Sequence, residues 1–131
     1  MKGKKVFVVF VLAIALVAAG TVAAQTMYDQ AVVVQVMRAN ATLLGQVRTA
    51  LNRADFFAAA EGFWKFAEGQ NRIMKFTPPK GSKAEWDNVL DQFVSLALRG
   101  VGTAGEKDAV KGLQILADLQ KLNQAGHAMF R

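Results

Sequence analysis

His127 is the single histidine of a 131-residue chain that contains no cysteine. It stands in the closing stretch Asn123-Gln124-Ala125-Gly126-His127-Ala128-Met129-Phe130-Arg131. An imidazole at that place can bind a metal, stay solvated, or interact favourably with the negative end of a helix. A zinc site with one histidine and no thiolate would have to lean on carboxylates, which is a poor ligand set. Asp87 and Asp91 have helical spacing, but they read as a solvated face rather than as an acid–base pair. A serine–histidine–aspartate triad has no nucleophile-bearing motif behind it. Catalysis is therefore not expected, and binding through His127 is the chemistry to follow.

The elements that position these residues begin after a leader. MKGKK is a short basic run, and an almost unbroken apolar block, VFVVFVLAIALVAAGTVAA, follows it. Val22-Ala23-Ala24 places small or modest side chains where a signal peptidase reads, so residues 1–24 are expected to be a signal peptide and 25–131 the exported domain. An uncleaved membrane anchor is the competing reading, because the block is nearly long enough to span a bilayer. Either way the domain is exported, with a periplasm as the expected compartment. Disulfides are ruled out by composition, so packing must supply the stability. Loss of Lys2, Lys4 and Lys5 with the leader takes the net charge from +6 to +3. That mild excess is no nucleic-acid footprint.

The remainder reads as four helices. The first is expected from about Met27 to Arg53, with Val33, Val36, Met37, Leu43, Leu44, Val47 and Leu51 apolar. Asp55 is a candidate N-cap for the second, in which Phe56, Ala59, Phe63, Phe66, Ile73 and Met74 recur at helical spacing. That aromatic stripe reads as core. Thr77-Pro78-Pro79-Lys80-Gly81 is a firm break. Ser82-Lys83-Ala84-Glu85 has the form of a capping box and opens a third helix bearing Trp86, Val89, Leu90, Phe93, Leu96 and Ala97. That helix is expected to stop near Gly100, and Thr103-Ala104-Gly105-Glu106 repeats the box before a fourth helix that runs to the chain end. Four amphipathic helices with short connections predict an all-α, antiparallel up-down-up-down four-helix bundle.

On a wheel centred at Leu119, the residues Ile115, Leu116, Leu122, Gly112, Asn123, Gly126 and Phe130 fall within about 60°. Glycine inside a helix costs about 1 kcal/mol relative to alanine, so Gly112 and Gly126 on this face imply close approach by another helix or by a flat cofactor. His127 lies about 80° from the centre, at the edge of the face.

This ending resembles the haem-binding end of the cytochrome c-prime and cytochrome b562 families, which are four-helix bundles. The c-prime pattern is C-x-x-C-H, two residues, an aromatic and a basic residue. Here His127, Phe130 and Arg131 match it, while Asn123 and Gly126 stand in place of the cysteines. The b562-type ending lacks cysteine in the same way. Trp86 followed by Phe93, and the run Met37, Asn40, Leu44 and Gly45, also resemble c-prime patterns, so the likeness covers most of the exported domain.

The resemblance implies haem iron held by His127, and the missing cysteines imply non-covalent, b-type haem. It puts Val34 or Met37 at the level of the sixth ligand, depending on register. Met37 is the better thioether candidate, although a space-filling core methionine is the competing reading. Met27 lies near the helix start. Asn123 and Gly126 would lie against the haem edge, and Arg131 or Arg38 would face the propionates. The implied work is one-electron transfer if methionine closes the iron, or diatomic gas binding if the distal side is open. A redox partner protein and a homodimer fit such a molecule. The rival expectation is a haem-free envelope protein that keeps the fold and binds a partner or an apolar small molecule.

Overall fold

The computed structural model describes residues 27–131. The expected signal peptide, with its cleavage after Ala24, lies outside the described residues. Those residues form four helices: α1 (Gln30–Asn52), α2 (Phe56–Ile73), α3 (Lys83–Gly105) and α4 (Ala109–Phe130). Among them there is no strand, and no helix is long and apolar enough to cross a membrane.

Each helix starts where a side chain takes up free N–H groups of the first turn. Asp29 accepts from the Val32 amide, Asp55 from Ala58 and Asp108 from Lys111. Ser82 and Glu85 form the reciprocal capping box expected from their spacing. The first helix therefore begins at Gln30, behind Asp29, rather than at Met27.

The expected end of the third helix is corrected. Helix α3 passes through Gly100 and runs to Gly105. Thr103 is no cap: it sits inside the helix, and its hydroxyl donates to the Gly100 carbonyl at 2.8 Å. Gly100 is present for packing, because a Cβ there would stand 2.6 Å from the Phe63 ring. The actual stop is at Glu106, followed by Lys107 in the left-handed region at φ 58° and the cap Asp108. The α1–α2 joint is built the same way, with Ala54 at φ 56° before the cap Asp55. In both joints the capping aspartate's own amide closes back on a carbonyl five residues earlier, Asp55 on Ala50 at 2.8 Å and Asp108 on Thr103 at 2.9 Å.

Helices adjacent in sequence pack side by side, α1 also meets α4, and of these four neighbouring pairs α1 and α4 touch least. The core holds Val33, Val36, Val47 and Leu51 of α1, Phe63, Phe66 and Ile73 of α2, Trp86, Leu90, Phe93 and Ala97 of α3, and Ile115, Leu116 and Leu119 of α4. Gly62 is held glycine by the Val47 side chain, and Gly112 by Leu51, which would stand 2.9 Å from a Cβ. At one end Tyr28 meets Phe76 and Trp86 edge-on, Trp86 meets Phe130 at 5.1 Å, and the Trp86 indole N–H donates to the Ile73 carbonyl. The α2–α3 strap is tied twice: Lys83 donates to the Met74 carbonyl and pairs with Asp87, and Lys80 donates to the Arg131 carbonyl at 2.8 Å. Asp87 is thus a half-buried ion-pair partner, whereas Asp91 is exposed as expected.

Candidate functional site

His127 occupies the last turn of α4, where its carbonyl accepts from the Arg131 amide at 3.2 Å. Its side chain is half-buried. Burial, aided by the positive charge of Arg131, holds the imidazole below its ordinary value of 6.5. A neutral ring keeps one nitrogen lone pair available, which is the state that ligates a metal.

The residues singled out with His127 do not share one surface. Gly126 is buried toward α3, and a Cβ on it would stand 3.6 Å from Val89, an ordinary contact. Its glycine is therefore not explained by close packing, unlike Gly62, Gly100 and Gly112. Phe130 lies on Trp86 and beside Gly81, at the start of α3. Arg131 is exposed. Asn123 is half-buried. Met37 is half-buried and packs against the core. Val34 lines an open groove along α1 with Gln30, Ala31, Gln35 and Arg38. Among the described residues, no cluster of three or more His, Asp or Glu side chains could cage a metal.

Two buried amides carry a signal that the apolar stripes hide. Asn40 falls in the α1 core row between Val36 and Val47, and Gln70 falls in the α2 row between Phe66 and Ile73. Asn40 Nδ2 and Gln70 Oε1 are buried with no hydrogen-bond partner among the described residues. A helical wheel places both on their core faces, so the signal was present in the spacing as a polar residue interrupting each stripe.

No protein-family model, no curated protein and no solved structure matches the chain.

Proposed function

We propose that the exported domain is an up-down-up-down bundle that binds b-type haem non-covalently between α1 and α4, with His127 as an axial ligand. The observation that carries this reading is the loose α1–α4 seam, the least packed of the four between neighbouring helices, toward which the wheel position of His127 turns it. Leu51 near the end of α1 lies against Gly112 near the start of α4, while Tyr28, Trp86 and Phe130 gather at the opposite end. Both contacts are those of antiparallel helices. Counting fourteen residues back from Leu51 reaches Met37, and fifteen on from Gly112 reaches His127. At 1.5 Å per residue the two then stand within about 2 Å in height.

Direction agrees with height. Val36 and Asn40, which face Gly69, define the flank of α1 that meets α2, and Met37 lies about 60° round from Asn40 on the other flank. Gly126 faces Val89 of α3, so His127, about 100° further round, turns to the flank on the side of α1. The seam so formed offers a neutral imidazole from one wall and a thioether from the other. Gly126 leaves the neighbouring wall without a side chain, as a flat ligand's edge requires.

When bound, haem supplies a one-electron iron couple or an open position for a diatomic gas. The chain's part is to hold it with His127, to cover its faces with apolar side chains, and to decide by Met37 whether the sixth position is closed. A closed site suits electron transfer with a partner protein, and an open one suits gas binding. One observation favours the haem-free alternative: Phe130, the aromatic of the closing motif, is engaged with Trp86 instead of the seam.

Haem titration of purified protein tests the proposal. The parent is expected to give a sharp Soret band and a higher melting temperature, since a ligand specific to the native state stabilises it by about 2.7 kcal/mol at a hundred times its dissociation constant. His127→Ala should lose both. An unchanged spectrum in the variant would remove His127 from the site.

A further inference from the structure

Apart from any haem, the bundle core carries a polar layer. Asn40 is 4% exposed and Gln70 is 2% exposed. One leaves a donor unpaired, Asn40 Nδ2, and the other an acceptor, Gln70 Oε1. Leaving such a group buried without a partner is destabilising. Asn40 meets α2 one residue before Gln70. A Cβ on Gly69 would stand 3.0 Å from Asn40 Oδ1 and 3.3 Å from Val36, so the glycine clears room for the Asn40 amide against the backbone of α2. Gln70 is the next residue. The arrangement is therefore built from three parts: an amide on α1, a glycine opposite it, and a second amide beside the glycine.

We propose that Asn40 and Gln70 together hold one internal water molecule between α1 and α2. The needed ligand accepts one hydrogen bond, donates another, and fits inside a packed core. Water has both capacities and the least volume, and buried waters are held by two to four polar groups of this kind. A larger amide or alcohol would need an enclosed apolar cavity beside the pair. Asn123 adds a third amide at the same level, because Asn40 and Asn123 each lie eleven residues from the Leu51–Gly112 contact. The layer sits one helical turn from Met37 and His127. It does not depend on iron or haem.

Two measurements on the purified, haem-free protein test the site. The first is a double-mutant cycle with the shape-matched changes Asn40→Leu and Gln70→Met. Each single variant strands the other amide and is expected to lower the melting temperature by roughly 4–8 °C, while the double variant loses clearly less than the sum. The second is nuclear magnetic resonance, in which the Asn40 side-chain amide protons should show cross-peaks to a long-lived water that disappear in Gln70→Met. Additive or stabilising single changes would overturn the proposal. So would direct amide-to-amide bonding with no water cross-peak.

Discussion

Two buried glycines of similar appearance have opposite reasons to be glycine. Gly100 faces the Phe63 ring at a distance no Cβ can share, whereas Gly126 has only Val89 at ordinary contact. Gly100→Ala is expected to destabilise by about 1–3 kcal/mol, the usual cost of overpacking. In haem-free protein, Gly126→Ala should instead stabilise by roughly 0.5–1 kcal/mol, through helix propensity alone. Urea unfolding of both variants checks the pair, and equal destabilisation would mean that Gly126 is under a packing constraint after all. Helical spacing marked Gly126 as unusual and read Gly100 as a stop, and it explained neither. Periodicity reports which face a residue occupies, and the distance to its neighbour belongs to tertiary structure. For the same reason Gly100 looked like a stop: a glycine that ends a helix and one that admits a ring are the same letter.

Two helix starts were legible as local patterns, while those behind Asp29 and Asp108 were not. Ser82 with Glu85, and Asp55 ahead of its helix, act as their spacing implies. Thr103 with Glu106 has the same spacing and does not cap, because α3 gains more by continuing past Gly100 to bury Ala104 than by stopping. The function of that cap falls to Asp108. Replacing Asp108 by alanine should therefore cost about 1 kcal/mol, as loss of an N-cap commonly does. Thr103→Ala should be close to neutral, because alanine is the better helix former and only an intrahelical hydroxyl bond is lost. Thermal unfolding of the two variants distinguishes the boundaries, and a larger loss at Thr103 would restore the earlier one.

For the whole molecule, sequence patterning was sufficient to predict four helices, because each stripe is long and each break is strong. The relation of α1 to α4 was not readable in that way, since it depends on which flank of each stripe meets which neighbour. The half-buried setting of His127 has a pH dependence as its consequence. Burial and Arg131 hold its pKa below 6.5 in the folded state, so the unfolded chain binds the proton more readily. Stability contributed by neutral His127 is therefore complete above 6.5, falls as pH drops through and below that value, and levels off beneath the folded-state pKa. In haem-free protein, the difference between parent and His127→Gln stability should show this slope. A difference that is flat across the window would mean that the ring is as exposed to water when folded as when unfolded.

The two three-residue joints and the longer strap have a mechanical meaning. Helices α1 and α2 are joined tightly by residues 53–55, and α3 and α4 by residues 106–108, so each pair can be pictured as one board. The boards are bound along α2 and α3, with residues 74–82 as the longer connection between them. The molecule is built like a book whose spine is α2–α3 and whose fore-edge is α1–α4. Turning the covers a few degrees about the spine would part the fore-edge while leaving both joints and the spine in place. Amide exchange should then be fastest along the facing flanks of α1 and α4.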